Sequence, residues 1–152
     1  MEAPEIGMIE KPTNPKDLAA FDRLPLHLVP PSLEVFAAMA FAEGAAKYGR
    51  YNWRAMCVSA SVYYAAVQRH LKKWFNGEEA DPVTGVPHLA SALACLGIIV
   101  DAQMCVRFRD DRPPAVGLTG VMDDCAAGAQ RVAALYRDRD PHQWTINDTL
   151  PE

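Results

Sequence analysis

The chain has 152 residues and half of them are hydrophobic, so it can bury the core of one domain without help from disulfides. Its net charge of −4 at neutral pH argues against a protein that binds nucleic acid by neutralising phosphates with a basic surface. The four cysteines lie far apart and form no CxxC pair, which indicates reduced thiols in a cytoplasmic protein.

Neither the N-terminus nor the longest apolar run indicates export or membrane insertion. Residues 1–11 lack the basic start and the long apolar stretch of a signal peptide. The longest apolar run, residues 89–100, has 12 residues, whereas a membrane span needs about 20. We therefore expect a buried helix there and no membrane partner.

The first half of the chain carries signals for an arm and two helices. Prolines in residues 11–31 disfavour regular helix, so an extended arm is expected. A first helix is predicted to begin at Ser32, a capping residue, with Glu34 in its first turn, and to end at Gly49. A second helix is predicted over about residues 55–75, because apolar residues recur there every three or four positions.

The second half predicts two further helices. A turn-rich loop follows Asn76 and Gly77, and a third helix is predicted from Pro87 to about residue 108. Residues 109–114 indicate a linker, and residues 121–136 have the alanine-rich composition of a fourth helix. No internal repeat and no alternating run long enough to require a sheet is present in the sequence. The expected fold is all-α, a compact bundle of about four helices with an extended N-terminal arm. Residues 1–108 would form the core with its arm, and residues 109–152 a linker, an additional helix and a polar tail packed on or extending the same domain.

An acidic loop is the first candidate site. Glu78 and Asp81 are three residues apart, so their oxygens can converge on one cation if the segment forms a helical turn. Glu79 lies between them and is expected to face solvent. The alternative for the whole segment is a solvated charged loop.

Two histidines flank this loop. His70 lies beside the apolar face of the second helix, where a packed, hydrogen-bonded side chain is the alternative to a functional one. His88 falls at the start of the third helix, where unpaired backbone N–H groups attract anions.

Residues 43–54 carry further polar and aromatic candidates. Glu43 and Lys47 are four residues apart, as in a simple helical ion pair. Trp53, between Asn52 and Arg54, can stack on a base while its neighbours contact phosphate, or it can anchor helix packing. Together with the loop and the histidines, these groups suit a divalent metal and a phosphate chain. The motifs of P-loop, dinucleotide-binding, serine-hydrolase, zincin and HD-domain proteins are absent from the sequence.

An ordered series of short motifs resembles a known family. The chain is similar to the phage dATP/dGTP diphosphohydrolases (MazZ-like), which belong with the MazG-like all-α nucleotide pyrophosphohydrolases. The resemblance covers about residues 11–108. It rests on NPKD at 14–17, LVPP at 28–31, GAAKYG at 44–49, NWR at 52–54, RHL at 69–71, GE at 77–78, DP at 81–82, TG at 84–85 and HL at 88–89.

The resemblance implies an enzyme that hydrolyses dGTP and/or dATP to the monophosphate and pyrophosphate with Mg²⁺ or Mn²⁺. It also implies a homo-oligomer, a dimer or tetramer, in the cytoplasm, which is the host cytoplasm if the gene belongs to a phage. In some phages such an enzyme supplies dGMP for 2-aminoadenine synthesis. Two alternatives stay open: a pyrophosphohydrolase acting on another nucleotide, and a non-catalytic nucleotide-binding or scaffold protein of the same fold.

The resemblance also implies roles for individual residues. The first helix lacks the EExxE set of MazG proteins, and Ser91 stands where related sequences tend to carry a second histidine. The implied catalytic residues are Glu78, Asp81, His70 and His88. The implied metal ligands are Glu78 and Asp81, with Glu43 and Glu34 as contributors. The implied substrate-binding residues are Lys16, Lys47, Asn52, Trp53, Arg54 and Arg69.

Overall fold

The computed structural model describes residues 15–16 and 23–148. These residues are mostly helical, which confirms the predicted fold class. In chain order the elements are α1 (Pro31–Tyr48), α2 (Asn52–Ala55), β1 (Val58–Ser59), α3 (Ala60–Phe75), α4 (His88–Met104), β2 (Phe108–Arg109) and α5 (Leu118–Ala134). Single turns of 3-10 helix lie at Leu26–Leu28 and Ile146–Asp148.

Helix α4 is the centre of the fold. It packs against α3 and α1, and also contacts α2, β1 and β2. Alanines dominate the contact, since Ala40 of α1 meets Ala90 and Ala94 of α4 in the core cluster. Small side chains let the helix axes approach closely, and at Gly97 a Cβ would lie 3.4 Å from the ring of Phe41. The apolar run that was predicted to form a buried helix therefore lies in α4, the helix against which the other elements of the core pack.

The ends of α1 agree with the sequence in part. The helix begins at Pro31, with Pro30 at the N-cap position and no side-chain cap, so the cap lies two residues before the predicted Ser32. Proline at the first helical position has no N–H to leave unpaired and replaces the cap. Glu34 lies in the first turn, and Gly49 ends the helix at φ 86°, as predicted.

The predicted second helix, over about residues 55–75, begins five residues later, at Ala60, and ends at Phe75 as predicted. Helix α2 ends at Ala55, and the N–H of Val58 then donates to the carbonyl oxygen of Arg107 at 2.8 Å. β1 thereby pairs with β2 in parallel, and the crossover between them consists of α3, a loop and α4. The prediction that no sheet is required missed this pair, because two-residue strands carry no readable alternation. The third predicted helix was expected to reach about residue 108. Instead α4 ends at Met104, because residues 108 and 109 belong to β2.

The C-terminal part is tied to the core before its helix begins. Asp111 accepts hydrogen bonds from the backbone N–H of Ser61 at 2.8 Å and from its hydroxyl at 2.6 Å. Helix α5 follows three residues earlier than the predicted fourth helix, and none of its residues is buried. The predicted arm, residues 11–31, lies partly outside the described residues. No helix in the described part of the chain is long and apolar enough to cross a membrane.

Candidate active site

The loop between α3 and α4 is a closed hairpin. Ala80 and Pro87 form an antiparallel bridge, and the N–H of Asp81 donates to the carbonyl oxygen of Val86 at 3.0 Å. The loop begins at Gly77, whose φ of 92° is a left-handed conformation that glycine adopts without strain. A Cβ at this glycine would lie 2.9 Å from Cδ1 of Ile146 in the C-terminal 3-10 turn. The loop and the start of α4 therefore form one fixed unit.

Four side chains form what we call the histidine cluster: His70, Lys73, Glu78 and His88. The ring of His88 is 0% exposed. Its Nδ1 lies 3.1 Å from Nδ1 of His70, and its Nε2 lies 2.8 Å from Oε1 of Glu78. Lys73 Nζ donates to the same oxygen of Glu78 at 3.1 Å. Both ring nitrogens of the buried histidine are thus engaged.

These contacts link the tautomers of the two imidazoles. The hydrogen bond from His88, followed by that from Lys73, lowers the pKa of Glu78, so the carboxylate is ionised and must accept. In the tautomer of His88 that donates from Nε2 to Glu78, Nδ1 is the acceptor toward His70. His70 then donates from Nδ1, which leaves the lone pair of its Nε2 available.

The surroundings of His70 favour that neutral state. Burial lowers its pKa, and His88, Arg69 and Lys73 lower it further, while the charge of Glu43 acts in the opposite direction. At neutral pH the ring is uncharged. It can therefore accept a proton.

Two residues of α1 face the same region. Lys47 pairs with Glu43, as the spacing predicted. The hydrogen bond to Glu43 raises the pKa of Lys47, and the charge of Asp81 contributes in the same direction. Asp81 Oδ1 accepts the backbone N–H groups of Thr84 and Val83, which lower its pKa. The structure thus brings α1 and the loop together around the histidine cluster.

Three carboxylates of this region each have one oxygen to spare. Glu43, Glu78 and Asp81 use Oε1, Oε1 and Oδ1 in their hydrogen bonds, and the second oxygen of each has no hydrogen-bond partner among the described residues. Carboxylate oxygens are the donors that Mg²⁺ and Mn²⁺ prefer, so each of these residues has the chemistry of a ligand for such an ion. Within residues 15–16 and 23–148, no three His, Cys, Asp or Glu side chains lie in a group that could hold a metal ion.

A second polar group, which we call the aspartate clamp, consists of Trp53, Arg54 and Asp101. Arg54 Nε and Nη2 donate to the two oxygens of Asp101, each at 2.8 Å. Trp53 Nε1 donates to Oδ2 at 2.6 Å. Arg54 and then Trp53 lower the pKa of Asp101. The clamp joins α2 to α4, so it holds the Trp53 ring in place.

The clamp borders a groove that runs along the face of α1 opposite to Glu43. This groove, of about 560 Å³, is lined by Glu34, Phe41, Arg50 and Trp53 with alanines of α1 between them. Glu34 and Glu43 are nine residues apart, which at about 100° per residue places them on opposite faces of the helix. The structure therefore separates Glu34 and Trp53 from the histidine cluster.

The other predicted substrate-binding residues differ in their exposure to solvent. Arg69 is exposed beside His70, Asn52 is half-buried at the start of α2, and Lys16 is exposed. Sequence reasoning missed Lys73 and Asp101. Asp101 is the one charged residue of an otherwise uncharged helix, a placement that calls for a cationic partner.

Comparison with known proteins supports one family. Residues 13–112 match the family model described as dATP/dGTP diphosphohydrolase, N-terminal. No curated protein matches the chain significantly, and neither does any solved structure. The match covers about two thirds of the sequence and includes both polar groups, so this chain belongs to the dATP/dGTP diphosphohydrolase family.

Proposed function

We propose that this protein hydrolyses a purine deoxynucleoside triphosphate, dGTP and/or dATP, to the monophosphate and pyrophosphate in the presence of Mg²⁺ or Mn²⁺. The observation that carries the proposal is the group of half-engaged carboxylates, Glu43, Glu78 and Asp81, around a neutral histidine. The family to which the chain belongs is named for this activity.

The protein's own part in the reaction is to place and deprotonate water. A water oxygen bonds to the α-phosphorus, the bond between that phosphorus and the α–β bridging oxygen breaks, and pyrophosphate leaves. The proton of the water goes to Nε2 of His70, because the bond to His88 occupies Nδ1. His88 and Glu78 keep the ring in this tautomer, as the carboxylate of a catalytic triad does.

Cations near the site suit the charge of the triphosphate. When bound, a divalent metal neutralises phosphate oxygens and lowers the pKa of water. Glu43, Glu78 and Asp81 would hold it through their second oxygens, after moving closer together than they lie in this structure. Lys47 and Arg69 are exposed on the same side as His70, so we assign them to the departing pyrophosphate.

Product analysis tests the activity. The purified protein is incubated with each of the four dNTPs, with Mg²⁺, with Mn²⁺ or with chelator, and nucleotides and phosphates are resolved by chromatography. We expect dGMP or dAMP with pyrophosphate, and none in chelator. Release of inorganic triphosphate would show a different bond cleaved, and turnover of another nucleotide would show a different substrate. The absence of turnover with every dNTP and both metals would leave a binding or scaffold protein.

Neighbouring glutamates give a matched test of the site. Glu78 bonds to His88 and Lys73, whereas the Glu79 side chain is exposed and bonds to no described residue. Glu78→Gln removes one charge from the cluster and should lower kcat/KM about 100-fold or more. Glu79→Gln removes the same charge from the same loop and should leave turnover within about twofold. Equal losses in the two variants would contradict the assignment.

The most detailed part of the proposal is the biological role. In a phage that uses 2-aminoadenine, the dGMP released would enter synthesis of that base in the host cytoplasm. Measuring dGTP preference over dATP tests this role, because only dGTP yields dGMP. A clear preference for dATP would exclude it.

A further inference from the structure

The groove beside the aspartate clamp takes no part in the proposed reaction. One wall is a single face of α1, where Glu34, Ala38, Phe41 and Ala45 follow one another at intervals of four, three and four residues. The opposite wall comes from the chain after α1 and includes Trp53. The volume of about 560 Å³ lies in the range of small-molecule sites, which are mostly apolar with a few polar groups. The groove therefore has the size and lining of a ligand site.

The aromatic side chains of the groove suit a planar ligand. The ring centroids of Phe41 and Trp53 are 5.4 Å apart, and those of Tyr51 and Trp53 are 5.7 Å apart. Trp53 Nε1 already donates to Asp101 at 2.6 Å, so the indole ring is held in place and a ligand can contact only its apolar surface. The alanines of α1 leave flat space beside these rings. A planar aromatic group can stack there without rearrangement of the wall.

Two charged side chains of the groove have no partner in the described part of the chain. Glu34 and Arg50 both line the groove and are exposed, and neither forms a hydrogen bond or an ion pair with a described residue. Glu34 lies in the first turn of α1, and Arg50 follows the last residue of that helix. The two charges therefore lie toward opposite ends of the groove. They suit a ligand that has hydrogen-bond donors at one end and an anion at the other.

These requirements select guanine among the nucleobases. The two oxygens of a carboxylate can accept two parallel N–H groups, and guanine presents two adjacent donors, N1–H and the N2 amino group, on one edge. Adenine and cytosine place an acceptor nitrogen beside their amino group, and thymine places carbonyl oxygens on both sides of its single N–H. Those acceptors would face the carboxylate of Glu34. A guanidinium is a strong partner for phosphate, so Arg50 suits the other end of a guanine nucleotide.

We propose that this groove is a second binding site, specific for a guanine nucleotide. The base stacks on Trp53, its N1 and N2 donors face Glu34, and the phosphate lies at Arg50. Because Glu34 and Glu43 are on opposite faces of α1, this site is separate from the histidine cluster. The proposal gives Glu34 a role in base recognition and none in metal binding. It concerns binding alone and does not depend on the proposed hydrolysis.

Neighbouring chemistry gives a matched pair of variants for the base. Full-length protein is titrated with dGMP and with dAMP in an isothermal calorimeter, in chelator so that no metal is present. We expect dGMP to bind and dAMP to bind about tenfold or more weakly. Glu34→Gln replaces one acceptor by a donor and should raise the dissociation constant for dGMP about tenfold or more. Glu79→Gln makes the same change on the exposed side chain of the acidic loop and should leave it within about twofold.

Three results would overturn the proposal: no binding of dGMP at millimolar concentration, equal binding of dGMP and dAMP, or equal dissociation constants for dGMP in the two variants. Equal dissociation constants would mean that the nucleotide binds elsewhere. Far-UV circular dichroism of each variant shows whether its helices are retained.

Arg50 gives an independent test of the phosphate end. Deoxyguanosine has the same base as dGMP and lacks the phosphate, so the wild type should bind dGMP about fivefold or more tightly. Arg50→Gln should remove most of this difference and leave the affinity for deoxyguanosine within about twofold. Arg137→Gln changes an exposed arginine outside the groove and should keep the difference. An unchanged preference for dGMP in Arg50→Gln would overturn the proposed placement of the nucleotide.

The binding experiment and the turnover experiment fail independently. Metal-dependent hydrolysis of a dNTP by a protein that binds no dGMP in chelator would overturn this inference and leave the proposed reaction intact. Binding of dGMP that depends on Glu34, in a protein that hydrolyses no dNTP, would support this inference and contradict the proposed reaction.

Discussion

The histidine cluster and the aspartate clamp are both built on α4, yet they use their carboxylates differently. In the clamp, both oxygens of Asp101 accept strong hydrogen bonds from fixed donors. In the cluster, Glu78 accepts two bonds on one oxygen, and its second oxygen has no described partner. The first carboxylate is fully satisfied by the fold, and the second retains capacity for a ligand.

The difference shows that one fold contains both a carboxylate that stabilises its structure and a carboxylate that can still bind a ligand. A fully paired carboxylate has little to offer a cation, since binding one would break bonds that orient Trp53 and Arg54. A half-paired carboxylate beside a neutral histidine can accept a metal or a proton without unfolding its surroundings. We therefore expect changes in the cluster to affect turnover most, and changes in the clamp to affect stability.

The largest expected effect is on catalysis at Asp81. Asp81→Asn keeps an oxygen to accept the N–H groups of Val83 and Thr84 but removes the charge available to a cation. We expect kcat/KM for the preferred dNTP to fall about 100-fold or more. The melting temperature should stay close to that of the wild type. Turnover within about threefold of the wild type would contradict a role for this carboxylate.

Removing His88 should lower both the turnover and the stability of the protein. His88→Ala leaves a cavity in a fully buried position and removes the partner of both Glu78 and His70. We expect the free energy of unfolding, measured in urea, to fall by about 2–4 kcal/mol. Loss of activity in protein that is still folded in dilute buffer would show that positioning of His70 matters. Unchanged stability would show that the ring is not the core element described here.

The clamp predicts a stability effect that depends on pH. The pKa of Asp101 is lowered in the folded state, so its ionisation stabilises the protein above the unfolded value of about 3.9. That stability is lost as pH falls through the lower folded-state pKa. Asp101→Asn should therefore melt a few degrees below the wild type at pH 7, and the gap should close below about pH 4. A gap that is constant with pH would exclude the charge of Asp101 as its cause.

A smaller effect is expected from Arg54→Lys. Lysine keeps the positive charge but cannot form the two parallel bonds that Arg54 makes to Asp101. The melting temperature at pH 7 should fall by less than in Asp101→Asn. A larger fall than in Asp101→Asn would indicate that Arg54 has a structural role beyond the clamp.

The sequence predicted those features that depend on local signals. Gly49 ended α1 as expected, and α5 appeared within a few residues of its predicted range. The β1–β2 pair was missed because each strand has two residues, and its pairing joins positions 50 residues apart in the chain.

The sequence offered candidate residues for the site but not the contacts among them. Glu43, His70, Glu78, Asp81 and His88 were identified as candidates from residue type and order, and the structure brings His70, Glu78 and His88 into contact. Their roles stay predictions. The distinction between Glu34 and Glu43 follows from helical geometry once the bounds of α1 are known. The bond between the two histidines depends on how α3 packs on α4, which no local pattern specifies.

The contact between Gly77 and Ile146 determines which shortened forms of this protein would keep the acidic loop covered. Ile146 lies 34 residues beyond the end of the family match at residue 112, yet its side chain fills the space beside the glycine that opens the acidic loop. Expression of residues 13–112 alone would leave that glycine uncovered. A tail exchanged between relatives would bring a different side chain to the loop. The boundary of the shared domain in sequence is therefore not the boundary of the working unit in space.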